Sequence, residues 1–147
     1  MTDSPTAARA LHLLETVFGY ASFRGQQAEI VALIAGGGDA LVLMPTGGGK
    51  SLCYQIPSLL REGVGVVISP LIALMQDQVD ALAEVGVRAA FLNSTQTFEE
   101  SSRIERQVRN GELDLVYVAP ERLMTPRCLD LLAASKIALF ADRKSVV

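Results

Sequence analysis

The tightest constraint in this 147-residue chain is the octapeptide Met44-Pro45-Thr46-Gly47-Gly48-Gly49-Lys50-Ser51. An apolar run, Ala40 to Met44, leads into it, and a helix-compatible segment beginning at Lys50 leads out. A short strand, a glycine loop and a helix therefore follow one another. Successive backbone N–H groups closed by a helix N-terminus form a cavity of partial positive charge suited to a di- or triphosphate. Gly47, Gly48 and Gly49 let the backbone approach phosphates closely, and Thr46 belongs to the same cradle. In such a loop Lys50 reaches the β/γ oxygens as a point charge and the Ser51 hydroxyl holds Mg²⁺. Met44 stands where the usual pattern has its first glycine. The bland alternative is a glycine-rich turn with a surface lysine.

The length suits one domain with a real core. Half the residues are apolar and a fifth are charged, a balance slightly rich in aliphatics, as buried parallel strands require. A formal net charge of −3 gives no sign of nucleic-acid binding and does not exclude it, because amides, hydroxyls and a few local arginines can hold a phosphate backbone. The two cysteines, Cys53 and Cys128, have no metal-ligand spacing and read as buried free thiols of a reducing cytoplasm. Residues 1–6 read as a disordered leader without a signal pattern, and no window reaches membrane-span length. The expectation is a soluble cytoplasmic protein.

Periodicity predicts a helix over 7–18 with Leu11, Leu14, Val17 and Phe18 on one face and His12 on the solvated one. A second helix, 26–35, carries Ile30, Leu33 and Ile34, and Gly36 to Asp39 opens a strand over 40–44. The run from Val64 to Ser69 reads as a buried strand. It leads to a helix over 71–85 with Leu71, Leu74, Met75, Val79 and Leu82 inward. Strands at 88–92 and 113–119 flank a charged helix over 98–110, and two short helical pieces precede an apolar strand over 137–141. This alternation predicts an α/β fold with a doubly wound parallel sheet and ligands at the carboxyl ends of its strands. Each polar cluster falls at such an end: Pro45 to Ser51, Ser69-Pro70, Asn93-Ser94-Thr95 and Pro120-Glu121-Arg122.

Phe18-Gly19-Tyr20, Phe23 to Gln27, Met44 to Pro57, Ser69 to Val79, Leu92 to Thr95 and Tyr117 to Arg122, in that order and spacing, resemble the first motor domain of the RecQ family of superfamily 2 DNA helicases. The resemblance runs from about Leu11 to Ala141. It implies a RecA-like P-loop NTPase domain over 7–141, ATP and Mg²⁺ as cofactors, and DNA as partner, both single strands and duplex junctions. It implies 3′ to 5′ unwinding coupled to ATP hydrolysis in the parent protein. It assigns adenine recognition to Tyr20 by stacking, Arg24 by a supporting contact and Gln27 by bidentate amide pairing. A glutamine amide offers a donor and an acceptor in one plane, matching the N6 and N7 edge of adenine. On residues alone Gln27 reads as a surface glutamine and Tyr20 and Phe23 as core aromatics.

The resemblance also makes Ser69, Pro70, Asn93, Ser94, Thr95, Pro120, Glu121 and Arg122 contacts to a DNA backbone, which fix register without reading sequence. Each has a plainer reading. Ser69-Pro70 can end a strand and cap a helix, Asn93-Ser94-Thr95 can be a turn capping the next helix, and Arg122 can pair with Glu121.

After Ala141 the family pattern continues through an apolar residue into Asp-Glu-Ala-His, whose acids order Mg²⁺ and position water. Here Asp142-Arg143-Lys144-Ser145-Val146-Val147 follows, with Asp142 one place early. The tail 142–147 reads as non-native read-through and the domain as incomplete at its C-terminus. A sheet lacking a later strand beside the phosphate-loop strand would carry an unfilled slot. Such a fragment is expected neither to hydrolyse ATP at a useful rate nor to translocate. The alternatives are a non-catalytic nucleotide-binding remnant and another P-loop enzyme such as a small-molecule kinase.

Overall fold

The computed structural model describes residues 5–25, 27–36, 52–70 and 72–142. The expected strand over 40–44, the slot beside it, the phosphate loop through Ser51, Leu71 and the tail beyond Asp142 lie outside the described residues. The chain divides into two units, Met1–Arg61 and Glu62–Val147, each with its own core.

The first unit contains α1 (Pro5–Thr16), α2 (Gln27–Ala35) and α3 (Leu52–Leu60). Helix α1 begins inside the leader expected to be disordered, because a proline's fixed φ and missing N–H suit a first helical turn. It ends before the expected Phe18. Gly19 takes a φ of +77°, and the Tyr20 N–H returns to the Leu14 carbonyl at 3.0 Å. Ala10, Leu14, Val31 and Ile56 form the core, with Leu13, Phe18, Phe23, Leu52 and Leu60 against it. Each fully buried aliphatic side chain here contributes about 1.5–3 kcal/mol. The expected stripes are rotated: Leu11 and Leu33 are exposed, while Ala10, Val31 and Gln27 take the inward positions. Periodicity fixes spacing along a helix, whereas the neighbours decide which edge of a broad apolar stripe is covered. His12 is exposed, as expected.

In the second unit the order is β1 (Val64–Ile68), α4 (Ile72–Glu84), β2 (Ala89–Leu92), α5 (Phe98–Arg109), β3 (Leu115–Val118), α6 (Pro120–Leu123), α7 (Pro126–Ala133) and β4 (Ile137–Asp142). The strands pair in parallel in the spatial order β2-β3-β1-β4. The chain moves from β1 two places to β2, then reverses through β3 and over β1 to β4. With right-handed crossovers this reversal puts α4 on one face and α5 and α7 on the other, the doubly wound arrangement. Val64, Val66, Ala90, Leu92, Val116 and Val118 meet Ile104 and Val108 of α5 and Cys128 and Leu131 of α7. Val67, Leu115 and Tyr117, on the alternate positions, are also fully buried. Cover on both faces explains why β1 and β3 are continuous apolar runs.

Met75 and Leu82 are the buried positions of α4, with Val79 half-buried; Leu74, expected inward, is exposed. Thr97 caps α5, accepting from the Glu100 N–H at 3.2 Å, and Thr125 caps α7, accepting from the Cys128 N–H at 3.3 Å. Between β1 and β4 the register jumps from Val64 opposite Ile137 to Gly65 opposite Leu139, a bulge that gives β4 one extra residue, Ala138. Strand β4 runs one residue beyond the expected boundary, its Asp142 backbone opposite Ile68.

Candidate functional site

In the first unit, two glycines with positive φ, Gly19 at +77° and Gly25 at +52°, shape the segment that carries Tyr20 and Arg24 into α2. Tyr20 is exposed and so is not the core aromatic its composition alone suggests. Phe23 takes that role in part, packed against the helical core. Arg24 is exposed. Gln27 is only 2% exposed and is not a surface glutamine. Its Oε1 accepts from the Arg24 N–H at 2.8 Å, and its own backbone N–H donates to the Arg24 carbonyl at 3.0 Å. This reciprocal pair fixes the carboxamide oxygen against the Arg24 backbone at the start of α2. Thr46, Gly47, Gly48, Gly49, Lys50 and Ser51 lie outside the described residues.

In the second unit, the three remaining clusters meet at the carboxyl edge of the sheet. Ser69, fully buried after β1, donates its N–H to Val118 at 3.1 Å, and the Ala119 N–H donates to Leu92 at 3.0 Å. Pro70 is exposed, and its carbonyl accepts from Ile72. Asn93 is the buried hub. Its Oδ1 accepts from the Thr95 N–H at 2.9 Å and the Thr95 hydroxyl at 2.6 Å, and its Nδ2 donates to the Met75 sulfur at 3.4 Å. The turn is thus an Asx turn that leaves Ser94 and Thr95 at the surface. It does not cap α5, because Thr97 does.

Pro120 opens α6 at its first position, where its missing N–H is harmless, and Glu121 faces solvent. Arg122 does not depend on Glu121. Its Nη1 donates to the Asn93 carbonyl at 3.3 Å, and its Nη2 lies 4.0 Å from Glu105 on α5. The ion pair ties α5 to α6 and the hydrogen bond ties α6 to the β2 loop.

Two residues of this edge were not legible as functional in the sequence. Gln96 closes the β2 loop, accepting from the Asn93 N–H at 3.1 Å and donating to the Phe91 carbonyl at 2.7 Å. Glu105 sits on a helix read as charged, yet its side chain is 2% exposed and takes three hydrogen bonds from Arg127, at 2.6 to 3.0 Å. The available signal was spacing: Ser101, Ile104, Glu105 and Val108 lie on one stripe of α5, and all four are buried. Nearby, burial raises the Cys128 thiol above the ordinary range; the Arg122 charge opposes that effect and Glu105 adds to it. Among the described residues, no three His, Cys, Asp or Glu side chains gather to hold a metal ion, and no helix is long and apolar enough to cross a membrane.

Residues 24–141 match the DEAD/DEAH box helicase family. The chain is 48% identical to ATP-dependent DNA helicase RecQ of Haemophilus influenzae, over 96% of this chain and 24% of that protein. It is 46% identical to the RecQ helicase of Bacillus subtilis, over 90% of this chain and 23% of the relative. The chain thus spans about a quarter of the length of these relatives. A crystal structure described as a hypothetical ATP-dependent RNA helicase from Sulfolobus tokodaii superposes with a TM-score of 0.62 at 17% identity, covering 98% of this chain and 51% of that one, and supports the RecA-like fold. The chain belongs to the DEAD/DEAH box helicase family, and its relatives there are RecQ helicases.

Proposed function

We propose that this chain is the nucleotide- and DNA-handling part of a RecQ-type, ATP-dependent DNA helicase that unwinds duplex DNA 3′ to 5′ in the cytoplasm. The observation that carries the DNA half is the meeting of Ser69, Asn93 to Thr95 and Pro120 to Arg122 at one edge of a parallel sheet. Arg122 donates to the Asn93 carbonyl and the Ser69 N–H to Val118, two residues before Pro120, so the exposed Ser94 and Thr95 and the arginine form one surface above buried Ser69, suited to a phosphate backbone.

For the nucleotide half, the support is the fixed Gln27 carboxamide beside exposed Arg24 and Tyr20. Its Oε1 would accept from the adenine N6 amino group, and its Nε2 would donate to N7. Tyr20 would stack on the base. Thr46 to Lys50 would cradle the phosphates, and Ser51 would ligate Mg²⁺. When bound, the Mg-nucleotide supplies the phosphoryl group and the cation that screens its charge.

The test is equilibrium binding of a fluorescent single-stranded oligonucleotide to the chain across a salt series. Arg122→Ala should weaken binding without sequence preference and reduce the magnitude of the salt slope by about one. Unchanged affinity and slope would remove this edge from the DNA path. In parallel, Gln27→Ala should weaken a fluorescent adenine nucleotide more than the guanine analogue; equal losses would reject the adenine assignment.

A further inference from the structure

Phe98 is 70% exposed at the first turn of α5 and, among the described residues, belongs to neither core cluster, so burial does not account for a large aromatic at this position. The Arg127 guanidinium lies over its ring, 4.7 Å from the centroid. That guanidinium is held in place from the other side. Glu105 takes its Nε and Nη2 in a bidentate pair, and the Ser102 hydroxyl accepts from Nη2 at 3.2 Å. A planar cation pinned by a buried carboxylate therefore holds one side of an aromatic ring whose remaining surface is open to solvent. The location is specific. Phe98 starts the helix after β2, Arg127 lies in the first turn of the helix after α6, and the same Glu105 stands 4.0 Å from Arg122.

We infer that Phe98 and Arg127 form a stacking platform for a base of single-stranded DNA at this carboxyl edge, beside the backbone contacts. An aromatic face with an adjacent guanidinium is what unpaired bases stack on without sequence preference, and a nearby cation accepts the phosphate of the same nucleotide. The inference rests on the reading that this edge of the sheet binds single-stranded DNA. A base stacked on Phe98 would belong to a nucleotide close to the phosphate held by Arg122. Because the ring is exposed, replacing it leaves the core intact.

The chain contains no tryptophan, so Phe98→Trp installs a single indole at the site in question. Titrating that variant with an oligothymidylate should quench its emission, while an abasic oligonucleotide of equal length should bind without quenching. Phe98→Ala should bind oligothymidylate about tenfold more weakly and the abasic strand as the parent chain does. Arg122→Ala should weaken both strands. Loss of oligothymidylate binding in Phe98→Ala with matching loss on the abasic strand, or no quenching of the indole at saturating oligothymidylate, overturns the platform and leaves the Arg122 reading standing. If Arg122→Ala binds both strands normally while the indole is quenched, the platform stands and the backbone reading falls. A parent chain that binds neither strand overturns both.

Discussion

Arg88 with Asp114 and Arg127 with Glu105 are pairs of the same chemistry in opposite surroundings. Arg88 is 60% exposed, and hydrogen bonding to Asp114, reinforced by its charge, raises the guanidinium further above its ordinary range. Screening by water limits such a surface pair to about 0–1 kcal/mol. Glu105 is buried to the same degree as a core leucine, so its charge is tolerable only while Arg127 satisfies it. Arg127→Met leaves the carboxylate with Arg122 alone, 4.0 Å away. Arg127→Met should therefore cost about 2–3 kcal/mol and Arg88→Met under about 1 kcal/mol, read from urea unfolding midpoints at constant slope. Equal midpoint shifts would mean that Glu105 finds water when its partner leaves. The asymmetry also shows why this site was hard to read in sequence: residue type reports charge, whereas the decision to bury Glu105 is made by α7, more than twenty residues away.

At the scale of elements, the entry to β1 is the most demanding piece of backbone among the described residues. Gly63 has a φ of +102°, and a Cβ there would sit 2.6 Å from the Lys136 carbonyl oxygen and 2.9 Å from the Ala138 nitrogen, at the bulge between β1 and β4. Gly111, at +70°, has open space around it. Alanine at 111 should cost about 1 kcal/mol for the left-handed conformation alone. At Gly63 the added backbone collision should bring the loss to about 3 kcal/mol, because neither strand can yield without losing register. Comparable losses in chemical denaturation would show that conformation, not close approach, selects glycine at 63. A bulge of this kind cannot be anticipated from pattern, since Ile137 to Ala141 reads as an uninterrupted apolar strand either way. The elements themselves were legible: continuous apolar runs marked β1 and β3 because both faces of a parallel sheet are covered there, and β4 carried the same run although its Phe140 is exposed. The strand ends also located the edge where Ser69, Asn93 and Pro120 meet. What periodicity misjudged was helix phase, at Leu11, Leu33 and Leu74, where an apolar stripe was wider than the surface available to cover it.

For the molecule as a whole, the two free thiols couple both units to pH in the same direction. Cys53 lies buried in the first unit and Cys128 in the second. Burial raises the Cys53 thiol, and burial is also the leading cause for Cys128. An unfolded thiol ionises near about pH 8.5. Below that value both states carry the proton and the buried thiols contribute fully to stability. As pH rises past it, the unfolded chain gains thiolate charge that the folded chain refuses, so stability falls until the folded thiols ionise in turn. The slope cannot exceed about 1.4 kcal/mol per pH unit for each thiol. Glu62 acts at the other end of the scale: its hydrogen bond to Lys136, then the charge of Lys136, lowers it, so that small contribution is lost only as pH falls through the folded value. The alkaline loss can be isolated by comparing urea unfolding of the chain and of a Cys53→Ala, Cys128→Ala variant between pH 7.5 and 10, where lysine and tyrosine titrations are common to both. The parent should lose stability more steeply from about pH 8.5 upward. Parallel curves would show that the thiolates are solvated in the folded chain and that neither core excludes water from its sulfur.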